Sequence, residues 1–252
     1  MSLFKKVKAK ALILAGGLGT RLYPVTLEIP KPLLTVNKKP ILNYLIEFFD
    51  VHGIEEIGVV ISQRNFEDFR WWYKRYKVEL PRRGVKFFIE EKPMGTFGGV
   101  LHIAQSWLLK SDVFFITNGD EIKFFDLEEM LEFHLEHQPL GTVALVRVKN
   151  PSAYGVAVLE GHKVKHFLEK PKNPPTNYIS SGLYLLEKGI FDYLKTHKDL
   201  LRRKFIMAEK DVLPRLAKDK QLFGFKAKGH WFDCGTFERW EETIKKFKKL
   251  RS

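Results

Sequence analysis

Residues 14–32 read LAGGLGTRLYPVTLEIPKP, placing three glycines, an arginine and a lysine within one short stretch. The run leading into it, AKALILA at residues 9–15, is short, apolar and partly β-branched, which predicts a buried strand over about residues 10–15. A strand that opens into Gly16, Gly17 and Gly19 offers bare backbone N–H groups at its carboxyl end. In an open α/β sheet that end is where ligands bind. Bare amides flanked by Arg21 and Lys31 suit an anion, and a phosphate above all.

Outward from this stretch, strand and helix patterns alternate. ILNYLIEFFDVHG (41–53) reads as a helix stopped by Gly53, IEEIGVVIS (54–62) as a strand, FEDFRWWYKRY (66–76) as a helix and VKFFIE (85–90) as a third strand. A loop, EKPMGTFGG (91–99), then leads to helical VLHIAQSWLL (100–109), strand DVFFIT (112–117) and helix DLEEMLEFHLEH (126–137) with an acidic cap. After about residue 140, GTVALVRV, YGVAVLE, KVKHFLE and NYISSGLYLL predict strands joined by turns. AEKDVLPRLAK (208–218) predicts a short helix interrupted or begun near Pro214. TFERWEETIKKFKKL (236–250) predicts a helix with Phe237, Trp240, Ile244 and Phe247 on one stripe. The alternation implies βαβ units and an α/β fold. The expected architecture is a Rossmann-like, doubly wound, mixed but mostly parallel sheet with helices on both faces. With no linker, the chain reads as one domain of two lobes around a cleft, a nucleotide-binding half over about 1–140 and a more mixed half over about 141–252.

Length and composition set limits. The 252 residues, 44% of them hydrophobic, suffice for a substantial core. No apolar run approaches the roughly 18 residues of a membrane span, and the Lys-rich start has no cleavage site of a signal peptide. A single cysteine, Cys234, excludes an internal disulfide and fits a reducing compartment, so a cytoplasmic location without membrane attachment is expected. The net charge of +13 raises nucleic-acid binding as a reading. The basic residues are scattered, apart from KKFKKLRS at 245–252, and no nucleic-acid motif accompanies them. A Lys-rich surface that attracts small anions accounts for the charge, and no nucleic-acid partner is expected.

Three phosphate-binding designs use such a loop. The P-loop requires Lys-Ser/Thr after its last glycine, but Thr20-Arg21 stand here. The dinucleotide fingerprint begins well at Gly17 and Gly19 but has Leu22 where its third glycine belongs, and lacks an acidic residue at the right distance. The third is G-G-x-G-T-R-L followed by Pro24, Thr26 and P-K-P-L. That pattern, with EEKPMGTFGG, NGD, YGV, FLEKP, SSGLYLL and WFDCGT in order, resembles the NDP-sugar pyrophosphorylases, the nucleoside-triphosphate sugar-1-phosphate nucleotidyltransferases. The resemblance covers nearly the whole chain and implies the nucleotide-diphospho-sugar transferase type of fold.

It also implies a reaction: NTP plus sugar 1-phosphate gives NDP-sugar and pyrophosphate, with Mg²⁺ as cofactor. A sugar-phosphate oxygen attacks the α-phosphorus in line, so no side-chain nucleophile is needed. Arg21, Lys31 and Asp120 take the catalytic places. Leu14, Ala15, Gly16, Gly17, Gly19, Thr20 and Arg21, with Gly95 and Thr96 of the EEKPMGTFGG loop, match nucleotide-binding positions. Gly155, Glu169, Lys170 and Ser180 match the sugar-phosphate site, and Asp120 and Asp233 the Mg²⁺ ligands. Glu121 is expected to face solvent or stand behind the site, and Cys234 to be a packing residue. Many relatives carry Asn at the Ser180 position; a hydroxyl reaches less far, which leaves the sugar open.

PKPLL, EEKPMGT and WFDCGT look nearest to mannose-1-phosphate guanylyltransferases, with glucose-1-phosphate thymidylyl-, uridylyl- or cytidylyltransferases and heptose-1-phosphate nucleotidyltransferases as alternatives. A non-catalytic, NDP-sugar-binding regulatory subunit is the reading from another class. The chain is expected to be the catalytic domain alone, without the C-terminal β-helix domain of several relatives. A homo-oligomer stays open, since relatives commonly associate.

Overall fold

The apolar run ahead of the glycines forms a strand, β1 (Ala9–Leu14), in which Ala11, Leu12 and Ile13 are wholly buried. A computed structural model describes residues 3–81 and 84–249; residues 1–2 of the Lys-rich start and 250–252 of the basic end lie outside the described residues. In chain order β1 is followed by α1 (Val25–Glu28), β2 (Thr35–Val36), β3 (Lys39–Pro40), α2 (Ile41–Asp50), β4 (Ile57–Ser62), α3 (Phe66–Tyr76) and β5 (Val85–Glu90). Then come α4 (Gly95–Ala104), β6 (Val113–Asn118), β7 (Glu121–Phe124), α5 (Leu127–His137), β8 (Gly141–Arg147), β9 (Gly155–Glu160), β10 (Lys163–Glu169) and β11 (Tyr178–Glu187). The last elements are α6 (Ile190–Thr196), α7 (Lys198–Leu201), α8 (Leu213–Lys218), β12 (Leu222–Lys226), β13 (His230–Asp233) and α9 (Phe237–Lys249).

The chain divides into two compact units, each assembled from separate stretches. The larger comprises residues 3–10, 94–116 and 126–228, the smaller 11–81, 84–93, 117–125 and 229–249.

In the smaller unit β5, β4 and β1 run side by side and parallel, with Leu12 opposite Gly58 and Val59 opposite Phe87. Parallel neighbours need a crossover, and α2 and α3 supply the helices between these strands. α2 is apolar nearly all round and buried accordingly, with Ile41, Leu42, Leu45 and Phe49 fully covered. Phe69 and Trp72 of α3 pack on Phe87 of β5, ring centroids 6.2 and 6.1 Å away. Phe247 of α9 lies among Tyr44, Phe124 and Phe232 at 5.3, 6.0 and 4.8 Å. Phe237 does not join that stripe as expected: it is exposed at the start of α9, and Thr243 takes the buried place a turn ahead of Phe247.

In the larger unit β11, β8, β12, β10 and β9 are neighbours in that order, antiparallel throughout except for β8 with β12. The consecutive strands β9 and β10 form a hairpin, turning through Gly161 in a left-handed conformation (φ +62°). β12 is a strand the sequence pattern does not announce, because Gly224 sits mid-strand where a Cβ would come within 2.7 Å of Leu145 and Leu159. Asp126 caps α5 as expected, its Oδ1 accepting from the Glu128 and Glu129 N–H groups at 2.8 and 3.1 Å. Pro214 occupies the second position of α8, where a missing N–H costs nothing. The fold is mixed α/β with sheet cores, and no helix among the described residues is long and apolar enough to cross a membrane.

Candidate functional site

In the smaller unit, β1 delivers the glycine loop. Ala15 N–H donates to Val60 at 2.8 Å, and the Leu14 carbonyl accepts from Gly119 at 2.9 Å. A Cβ on Gly119 would meet that carbonyl at 2.7 Å, so the NGD turn closes on the strand end only with glycine. A Cβ on Gly16 would stand 3.0 Å from Glu90 Oε2, whereas Gly17 has nothing within 4 Å and leaves its backbone open. Gly19 is left-handed (φ +65°), and its carbonyl accepts from Thr26 Oγ1 at 2.8 Å. Thr20 and Arg21 follow in a single exposed turn, Arg21 forming no ion pair among the described residues. Burial pushes the Glu90 carboxyl up to about 7, so near neutrality much of it is protonated and repels an anion less.

Two turns meet beside this loop. β7 and β13 pair antiparallel, with Glu121 opposite Asp233, and so carry Asp120 and Asp233 to the same end of one ribbon. Cys234 N–H donates to the Asp120 carbonyl at 3.0 Å. Lys31, buried between Pro30 and Pro32, reaches Asp120 Oδ2 at 2.5 Å and the Gly235 carbonyl at 3.2 Å. Burial alone would push the Asp120 carboxyl up. The Lys31 ammonium, with Lys123 and Arg21 farther away, holds it below the usual carboxylate range. Asp233 Oδ1 accepts from Gly235 N–H at 2.6 Å and Oδ2 from Arg239 at 2.7 Å.

Mg²⁺ favours a few carboxylates together with phosphate oxygens and water. Asp120 fits that demand: Lys31 takes Oδ2, while Oδ1 accepts no hydrogen bond among the described residues and the side chain is 24% exposed. No group of three or more His, Cys, Asp or Glu side chains with metal-holding potential occurs among the described residues. A cation here would therefore rely on this aspartate pair and on substrate oxygens.

Glu121 is buried rather than solvent-facing. Its Oε2 stands 2.8 Å from Lys123 Nζ and accepts from Trp231 Nε1 at 3.3 Å. Burial pushes its carboxyl up to about 7; Lys123 opposes, and Asp120 and Asp233 add to the rise. Cys234 is fully buried, and burial pushes its thiol up to about 12, which fits a packing role and not a nucleophile.

The larger unit holds Gly95, Thr96, Gly155, Glu169, Lys170 and Ser180. The expected loop 91–99 is shorter than read, because α4 starts at Gly95 and not near Gly99. The Ile206 carbonyl accepts from Phe97 and Gly98 N–H at 2.9 and 3.2 Å, satisfying the helix start from a distant segment. Gly95 is left-handed (φ +82°), and a Cβ there would lie 2.3 Å from that same carbonyl. Glu169, at the end of β10, pairs with Gly155 on β9. Its Oε1 contacts Lys170 Nζ at 3.1 Å, while Oε2 is buried without a hydrogen-bond partner among the described residues.

Ser180 belongs to a network that also contains Tyr184 and Glu209, two residues the sequence reading passed over. Ser180 Oγ donates to Tyr184 Oη at 3.2 Å, Tyr184 donates to Glu209 Oε1 at 3.2 Å, and Thr96 donates to Glu209 Oε2 at 2.7 Å. The one available signal was Gly182, an odd residue inside an apolar strand. Arg239 escaped notice because only the folded ribbon brings it to Asp233.

A family model described as "Nucleotidyl transferase" matches residues 10–249. The mannose-1-phosphate guanylyltransferase catalytic subunit beta of Xenopus tropicalis is 37% identical over 231 residues, covering 90% of this chain and 61% of that protein. The chain thus spans about three-fifths of the length of this curated relative. Among solved structures, HddC from Yersinia pseudotuberculosis complexed with GMP-PN superposes with a TM-score of 0.75 at 27% identity, covering 95% of this chain and 99% of that one. A protein of Bacillus anthracis assigned as a glucose-1-phosphate thymidylyltransferase, in complex with a sucrose, has the same fold at a TM-score of 0.80, 24% identity and 94% coverage of both chains. With the match running almost from end to end, the chain belongs to the nucleotidyl transferase family.

Proposed function

We propose that this chain transfers a nucleotidyl group from an NTP to a sugar 1-phosphate, releasing pyrophosphate, with GTP and mannose 1-phosphate as the preferred pair. The observation carrying this reading is the junction of the NGD and DCG turns through Lys31 beside the bare end of β1. Such chemistry asks a protein to collect two polyanions and offset their charge, and little else. The Gly16–Gly17 backbone and the Arg21 guanidinium, which forms no ion pair among the described residues, would bind NTP phosphates, Arg21 through two oxygens at once. Lys31 has a third N–H beyond the two in use, available to a phosphate oxygen. Mg²⁺, held by Asp120 and Asp233, would supply charge neutralisation at the phosphoryl group.

On the sugar side, Glu169 Oε2, buried without a hydrogen-bond partner among the described residues, would accept from sugar hydroxyls, and Lys170 beside it would bind the phosphate. In the step itself a sugar-phosphate oxygen forms the new bond to the α-phosphorus as the bond to the pyrophosphate oxygen breaks. The attacking oxygen is already anionic, so no protein base is required. The guanylyl preference rests on the Xenopus relative and the GMP-PN complex of HddC.

The test is a grid of GTP, ATP, UTP, CTP and dTTP against mannose, glucose and heptose 1-phosphates with MgCl₂, scored by pyrophosphate release. The expected maximum is GTP with mannose 1-phosphate. A maximum elsewhere overturns the substrate assignment, and a blank grid overturns the transfer reading in favour of a regulatory, non-catalytic subunit.

A further inference from the structure

The network in the larger unit reaches farther than its sequence positions suggest. Ser180 and Tyr184 lie four residues apart on β11, which in a regular strand separates them by about 13 Å. They are nevertheless in hydrogen-bond contact at 3.2 Å, because the pairing of β11 with β8 slips between them and Gly182 adopts a left-handed conformation (φ +65°). The bulge also turns Gly182 N–H onto Ser180 Oγ at 3.1 Å. Ser180 thereby donates its hydrogen bond to Tyr184, and Tyr184 donates its own to Glu209.

From the other direction, Ala208 N–H donates to Thr96 Oγ1 at 2.8 Å, and Thr96 donates to the second oxygen of Glu209. Glu209 is 9% exposed and sits in a π-helical turn, Ala208–Val212, immediately ahead of α8. A carboxylate has two acceptor oxygens and no donor, so it alone among side chains can receive both hydroxyl protons in this way. Burial pushes its carboxyl up, the Thr96 and Tyr184 donors pull it back, and the nearby Glu169 charge raises it again.

We propose that Glu209 is a positioning residue: it ties Thr96, at the start of α4, to the bulged Ser180–Tyr184 segment, and so sets the affinity for the NTP and for the sugar 1-phosphate together. This rests on the transfer reading above, in which Thr96 serves the nucleotide and Ser180 the sugar. Cutting one arm frees one element, and removing the carboxylate frees both.

The experiment measures KM for each substrate, using the best pair from the grid, in Thr96→Val, Tyr184→Phe and Glu209→Ala. Losing a hydrogen bond to a charged group predicts a rise of about tenfold or more in the KM it serves. Thr96→Val is expected to raise mainly the NTP value, Tyr184→Phe mainly the sugar-phosphate value, and Glu209→Ala both. Glu209→Gln, which keeps one acceptor, replaces Glu209→Ala if that variant does not fold, and is expected to raise both values less. A fall in melting temperature with both KM values unchanged, or a change in only one of them for the Glu209 variant, overturns the proposal. If the wild type transfers nothing, the transfer reading fails. The melting shifts given by GTP alone and by mannose 1-phosphate alone then take the place of KM, with the same expectation for each arm. A wild type that neither transfers nor shows a shift overturns both readings.

Discussion

Asp120 and Asp233 illustrate how differently two carboxylates of the same type are spent. Asp120 gives one oxygen to Lys31, whereas both oxygens of Asp233 already receive donors, from Gly235 and Arg239. An asparagine at either position preserves shape and removes the charge. Asp120→Asn also leaves the Lys31 ammonium beside a neutral amide, at a cost of about 1–3 kcal/mol. We expect each substitution to lower Mg²⁺-dependent turnover about 100-fold or more, a loss typical of a missing group that offsets developing charge. Titrating turnover with MgCl₂ while following the melting curve checks this, and full activity in both variants removes the metal assignment. The identity of these residues is legible from their motifs. That Glu121 is buried against Lys123 is not, because its partner lies two residues along the same strand and the covering Trp231 comes from another.

Elements, more than residues, decide whether those groups meet. The ribbon of β7 and β13 is what turns a separation of 113 positions into a shared end, and its entry is Gly229 (φ +115°). A Cβ there would lie 1.9 Å from the Phe124 carbonyl, a distance no relaxation of side chains can relieve. Gly229→Ala is therefore expected to shift the ribbon register, costing about 2 kcal/mol or more and lowering turnover with it. Chemical denaturation read alongside pyrophosphate release tests the coupling, and an unchanged midpoint would show that the ribbon is not held there. The same scale explains what pattern reading missed. A straight strand over 177–186 follows from its apolar run, but the bulge at Gly182 depends on register with β8, which no local window contains. The start of α4 at Gly95 depends on a carbonyl from residue 206, equally invisible locally.

At the scale of the whole molecule, alternating strand and helix patterns sufficed for the fold class, since buried parallel strands write themselves as continuous apolar runs. β7 and β12 escaped because they are short or interrupted by glycine. The charge of the whole chain, by contrast, is legible without any structure: 43 Lys and Arg against 30 Asp and Glu, giving +13. If that excess attracts the proposed substrates, both of them anions, the attraction acts over distances that salt controls. Raising KCl from about 0.1 M to about 1 M shortens the screening length from about 10 Å to about 3 Å. We expect kcat/KM for the NTP to fall several-fold across that range while kcat at saturation holds. Contact between Arg21 and a phosphate would also weaken with salt, so the comparison has to be made in Arg21→Ala as well. A slope of similar steepness in that variant assigns the effect to the field of the whole chain. A slope that vanishes with Arg21 assigns it to one residue, and leaves the remaining positive charge with no part in substrate capture.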